Sequence, residues 1–304
     1  MKQILDKVAV VMLDITTWTG RKVLSKADRE RLGVSAPDEI VSIGHKRIID
    51  PKAIAVFGTL KKRAERACGK RGVRFLGGYA VPISEVPKLL TELAEIKREY
   101  EQEREHFNDR IGSLTAKWAD EHAEWRDILG GSAGAHNLRF SYHSVMVAPV
   151  EGDNMTAEAA GQLGDRLFQE VARDIRAFWD KSLKGRETVT QKALRPLRAV
   201  MEKIEGMAFV DPRAVPLADY IKSVLDSMPK AGPLDQSETA KVAGLALALS
   251  VGDGSIPKPQ AEVQEESPAD QEAEQPIEVL PQAEADADES PAEEEPIAVN
   301  GGWF

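Results

Sequence analysis

Apolar side chains recur at three- and four-residue steps over residues 84–129, at Val86, Leu90, Leu93, Tyr100, Phe107, Ile111, Leu114, Trp118, Trp125 and Ile128. Polar Lys97, Arg104 and Glu121 fill the remaining steps, and the spacing predicts a long helix with a coiled-coil seam on one face. At 1.5 Å per residue such a rod would reach roughly 70 Å. A second helical pattern passes through Leu163, Leu167, Val171, Ile175, Phe178 and Leu183 and loosens at Gly185. It resumes at Leu194, Leu197, Val200, Met201 and Ile204, with Pro196 predicting a kink or a break. Two rods of matched length, 83–129 and 155–207, predict an antiparallel helical hairpin. Its tip falls at 130–154. There a Gly-rich connection precedes Leu138, Phe140, Tyr142, Ser144 and Met146, alternating with Arg139, Ser141, His143 and Val145 in the period of a strand.

The chain before the rod has a different rhythm. Residues 8–18 are rich in β-branched side chains and predict a strand, Gly20-Arg-Lys22 a turn, 24–32 a short helix, and 40–49 a weaker strand. Asp50 and Pro51 mark a helix start, as N-cap and first helical residue, with the helix running to about residue 67 and ended by Gly69 or Gly72. A short strand at 73–76 turns through Gly77 and Gly78 toward Pro82, and Ser84 is the expected N-cap of the rod. Shorter helices are expected at 214–228, headed by Asp211 and Pro212, and at 237–250. The expected fold is mainly α. It comprises a small α+β unit at 1–82, a long helical hairpin with a short β-like tip over 83–255, and a disordered acidic tail over 256–304.

Charge supports that last boundary. The formal net charge is −10, yet residues 256–304 alone hold fourteen acidic residues against a single basic one, Lys258, leaving the preceding chain slightly basic. Pro, Glu, Ala, Gln and Asp dominate the tail, which lacks the apolar surface to offset the entropy of ordering. One cysteine, Cys68, excludes an intramolecular disulfide. The apolar stretch at 8–13 is too short for a signal peptide, and no window approaches the ~18 apolar residues of a membrane span. A cytoplasmic protein is expected.

Candidate chemistry is sparse. The densest basic patch is Lys61, Lys62, Arg63, Arg66, Lys70, Arg71 and Arg74, flanked by Phe57, Phe75 and Tyr79. It reads either as a phosphate-binding surface with aromatics for stacking or as a solvated helix face ending in a cationic turn. His45, His106, His122, His136 and His143 lack metal-ligand spacing. Cys68 has no base in sequence context, and the glycine pairs match no phosphate loop. No catalytic residue, cofactor or metal is expected. Phe140, Tyr142 and Met146 at the tip cap the hairpin's core, dock a partner, or touch a membrane. Trp303 and Phe304, closing the acidic tail, form a candidate docking peptide or a cover for the basic patch.

Four segments carry a family resemblance: Val10-Val-Met-Leu-Asp-Ile-Thr-Thr-Trp-Thr-Gly-Arg21, Gly44-His-Lys-Arg-Ile-Ile-Asp-Pro51, Arg63-Ala-Glu-Arg-Ala-Cys68 and Gly72-Val-Arg-Phe-Leu-Gly-Gly-Tyr-Ala-Val-Pro82. They resemble a bacterial domain-of-unknown-function family, number 3150, over roughly residues 8–230 and most strongly through residue 82. The resemblance implies a protein of mobile elements, phages or bacterial chromosomes, encoded near MoxR-type AAA+ ATPases and von Willebrand A-type proteins. It brings no catalytic residues with it. The leading expectation is a non-enzymatic interaction or scaffold protein, a partner or substrate of an AAA+ machine, with homo-oligomerisation through the rods left open. The alternatives are a nucleic-acid-binding accessory factor using the 61–74 patch and a membrane-active, toxin-like helical protein.

Overall fold

Strand β1 (Val8–Thr16) organises the fold because both of its faces and both of its edges are used. In the computed structural model, which describes residues 2–33, 44–129, 137–148, 150–152 and 154–256, it lies inside a four-stranded antiparallel sheet. The order is β4 (Val73–Phe75), β5 (Gly78–Pro82), β1, β6 (Arg139–Val145). Val8 pairs with Pro82 and Val11 with Tyr79 on one side, and Val10 pairs with Val145 and Thr16 with Arg139 on the other. Alternation then sorts the side chains. Val8 and Val10 join one apolar cluster, and Val11 and Ile15 join a second. A short helix, α1 (Lys2–Leu5), precedes the sheet.

The second cluster is built by two long helices. In α3 (Pro51–Arg71) the apolar face is Ile54, Phe57, Leu60, Ala64, Ala67 and Cys68, and Asp50 caps the start by accepting the Lys52 N–H at 2.9 Å. Helix α4 (Val86–Glu121) follows a 3₁₀ turn at Ile83–Glu85 and buries Leu89, Leu93, Ile96, Tyr100 and Phe107. Ser84 makes no cap, since the turn carries the chain directly into the helix with Pro87 in its first turn. The two helices run antiparallel: Arg71 meets Glu92, Arg63 meets Glu99, and Phe57 meets Phe107. Tyr100 is wedged between Phe57 (ring centroids 5.1 Å apart) and Phe140 (5.4 Å), and its hydroxyl donates to the Thr16 carbonyl at 2.5 Å.

The antiparallel partner of the long helix is therefore α3, and the expected hairpin of 83–129 with 155–207 is corrected. Residues 154–206 break into α6 (Asn154–Gly161), α7 (Leu163–Phe178), a π-helical turn (Trp179–Leu183), a 3₁₀ turn (Gln191–Leu194) and α8 (Arg195–Gly206). Pro196 sits in the first turn of α8, where its missing N–H costs no helical hydrogen bond. These elements pack with α9 (Ala214–Asp226) and α10 (Gln236–Leu249) on the opposite face of the sheet, against Val8, Val10, Val73, Phe75 and Ala80. Reciprocal Asp235 and Glu238 hydrogen bonds form a capping box at the start of α10. The expected tip is also corrected. Residues 139–145 are a sheet strand, because Phe140 and Leu138 find their cover on the α3–α4 layer rather than at the end of a rod. Residues 1–258 form one compact unit.

A smaller ribbon, β2 (Arg21–Val23) paired with β3 (His45–Arg47), flanks the far end of α4 together with α2 (Lys26–Arg31) and α5 (Arg126–Leu129). Lys46 ties them together, donating to Asp28 at 2.7 Å and to the Ile128 carbonyl at 2.6 Å. The strand expected over 40–49 is described only at His45–Arg47. The Gly-rich connection at 130–136 and the acidic tail beyond 256, with Trp303 and Phe304, lie outside the described residues.

Candidate functional site

Helical periodicity divides the basic patch on α3. Lys62, Arg66 and Lys70 are four residues apart and share one face, whereas Arg63 and Arg71 fall on the face turned to α4. Arg63 pairs there with Glu99 at 2.6 Å, and Arg71 with Glu92 at 2.7 Å and Glu85 at 3.6 Å. These two arginines join α3 to α4 and are spent on that seam. Lys61 lies on a smaller depression with Leu13, Glu65 and Arg74. The aromatics proposed for stacking are core residues: Phe57, Phe75 and Tyr79 are all buried.

The remaining cations line a cleft of about 740 Å³ between α3 and the α7–α8 layer, beside the β4 end of the sheet. Lys62, Arg66, Lys70 and Arg74 form one wall, and Arg173, Lys181 and Lys203 stand across from them. Against these seven cations the lining offers three acids, Glu65, Glu170 and Asp174, and an apolar floor of Ala177, Phe178, Pro196, Ala199 and Val200. The π-helical turn places Lys181 and Ser182 on the rim, one residue out of step with the preceding helix.

Glu170 is the anchor of this cleft. One carboxylate oxygen accepts the backbone N–H of Arg74 at 2.9 Å, and the other accepts the Lys203 ammonium at 2.8 Å. Both Glu170 and Lys203 are buried, so their charges cancel inside the wall. The same contact closes the outer edge of β4, with Arg166 reaching the Arg74 carbonyl at 3.5 Å. The Arg74 guanidinium lies 4.1 Å from the centre of the Tyr79 ring. Burial pushes the Tyr79 hydroxyl up to about 12 and the Cys68 thiol also to about 12, so neither ionises near neutrality. The cleft thus offers fixed positive charge over an apolar floor, an arrangement suited to binding an anionic, partly apolar surface.

The other candidate residues are dispersed. Phe140 is buried in the α3–α4 core, which matches the core-covering alternative for this residue. Tyr142 is half-buried against Leu90, and Met146 is exposed. Sequence reading missed Arg173, Lys181 and Lys203; only their charge marks them, and nothing local connects them to residues a hundred positions earlier. No helix among the described residues is long and apolar enough to cross a membrane.

A central antiparallel strand layer between two helical layers, with a cationic cleft at one sheet edge, defines a mainly helical α+β protein. A family model described as Protein of unknown function (DUF3150) matches residues 5–251, and the chain belongs to that family. Neither a curated protein nor a solved structure matches it.

Proposed function

We propose that this chain is a non-enzymatic interaction protein of a bacterial mobile-element or AAA+ ATPase-associated system, and that the cleft beside α3 receives an acidic surface of its protein partner. The supporting observation is the group of Lys62, Arg66, Arg74 and Lys181 around an apolar floor. These have no ion pair among the described residues, whereas Lys203 is neutralised by Glu170, Arg173 lies 3.6 Å from Asp174 and Lys70 3.9 Å from Glu202. A MoxR-type ATPase and a von Willebrand A-type protein are the partners suggested by the family resemblance. Nucleic-acid binding through 61–74 has less support, because Arg63 and Arg71 are paired to α4 and the flanking aromatics are buried. Size-exclusion chromatography of the full chain co-expressed with those two proteins from the same genome tests the reading. A complex dispersed by Lys62→Glu/Arg66→Glu/Lys70→Glu, with circular dichroism unchanged, supports it. A complex indifferent to that reversal, or no complex at all, overturns it.

A further inference from the structure

The β2–β3 ribbon has an unusual charge pattern. Its register sets Arg21 directly opposite Arg47 and Lys22 opposite Lys46. Like charges facing each other across two strands destabilise a ribbon, so a chain that keeps them has a use for them or neutralises them. On the inner side neutralisation is visible: Lys46 is nearly buried and held by Asp28 and the Ile128 carbonyl. On the outer side it is not. Arg21 and Arg47 are exposed, and neither has an ion pair among the described residues.

The backbone beneath the two arginines is firmly held. Ile48 N–H donates to the Gly20 carbonyl and Leu24 N–H to the Gly44 carbonyl, each at 3.0 Å, closing the ribbon at both ends. Trp118 Nε1 donates to the Arg47 carbonyl at 3.2 Å, tying the ribbon to α4. Gly20 has φ 66°, and a Cβ there would come within 2.7 Å of Ile49, so the tight approach into β2 requires glycine. Two exposed arginine side chains therefore leave the same face of the ribbon from directly opposed positions on a fixed support, with exposed His45 next along that face beyond Arg47.

From this we infer that the outer face of the β2–β3 ribbon is a nucleic-acid contact in which Arg21 and Arg47 bind the phosphodiester backbone, with duplex DNA the form that fits it. A two-stranded ribbon matches the width of the major groove, and paired guanidiniums match adjacent phosphate oxygens. The contact is separate from the cleft and stands whether or not the cleft binds protein.

Fluorescence anisotropy of the full chain with a labelled DNA duplex of about 20 base pairs, across roughly 50–200 mM salt, tests the inference. The expected result is salt-dependent binding in which Arg21→Ala/Arg47→Ala lowers the slope of log affinity against log salt by about 2, at about 0.9 per lost phosphate contact. Arg21→Lys/Arg47→Lys should retain the slope, and both variants should keep the parent's circular dichroism. No binding at the lowest salt overturns the inference, as does an unchanged slope in the alanine variant. Loss of DNA binding on Lys62→Gln/Arg66→Gln/Lys70→Gln instead would move the contact to the cleft and overturn it too. Association with phosphatidylserine vesicles in the absence of DNA binding would identify a membrane surface and count equally against it.

Discussion

Glu170 on α7 and Lys203 on α8 form an ion pair of 2.8 Å with both side chains withdrawn from water, and the same carboxylate holds the backbone of Arg74 on β4. Elements from distant parts of the sequence meet at one carboxyl group. Removing it strands a buried ammonium and an edge N–H together. Glu170→Ala is expected to destabilise the protein by about 3–5 kcal/mol, read as a shift of the urea unfolding midpoint.

The split of the basic patch has its own signature. Arg71 is largely covered and bonded to two glutamates, so Arg71→Ala is expected to cost about 1–2 kcal/mol. Lys62→Ala and Arg66→Ala, on the open face of α3, should stay within about 0.5 kcal/mol of the parent. Equal costs at all three positions in chemical denaturation would contradict the division.

Tyr100 and Phe140 test the face of the sheet that packs on α3 and α4. Phe140→Ala empties a buried aromatic site between Tyr100 and Tyr142 and is expected to cost about 3–5 kcal/mol. Tyr100→Phe keeps the ring and loses only the hydrogen bond to Thr16, for about 1 kcal/mol plus the cost of the unmet carbonyl. An exposed docking residue at 140 would instead tolerate alanine without a change in melting temperature.

Asp28 makes stability depend on acid. The Lys46 ammonium bonded to it holds its carboxyl below the usual carboxylate range, against the opposing effect of burial. A carboxyl more acidic in the folded than in the unfolded chain contributes its full stabilisation above about pH 4. That contribution drains away as pH falls through the lower, folded value. Asp28→Asn should therefore lower the melting temperature near neutrality, by a margin that narrows as the pH falls below about 4. A margin that stays constant as the solution is acidified would disprove the linkage.

Much of the fold can be read from local pattern, and the failures share a cause. Asp50, Pro51 and Gly72 delimit α3 because capping chemistry is local. The alternation at 138–145 identifies a strand because period two needs no partner to be seen. What periodicity cannot convey is which stripe meets which. The apolar face of α4 fits α3 as well as any later helix in sequence terms, and only the β4–β5 hairpin between them brings α3 and α4 side by side. Of the cleft, one wall is visible in the sequence as a run of lysines and arginines, and the four-residue spacing of Lys62, Arg66 and Lys70 already separates them from Arg63 and Arg71. The opposite wall, with Arg173, Lys181 and Lys203, is created by tertiary packing alone. Arg21 reads in sequence as a turn residue and Arg47 as part of a weak strand, and only the ribbon register sets them opposite each other.

The position of β1 between β5 and β6 also imposes an order on synthesis. Thr16 pairs with Arg139, so a ribosome adding about 5–20 residues per second finishes the second neighbour of β1 roughly 6–25 s after β1 itself. During that interval the nascent chain carries a nine-residue, strongly apolar strand with one hydrogen-bonding edge open. Any truncation upstream of residue 139 makes that interval permanent, and such fragments will be clients for chaperones or seeds for aggregation.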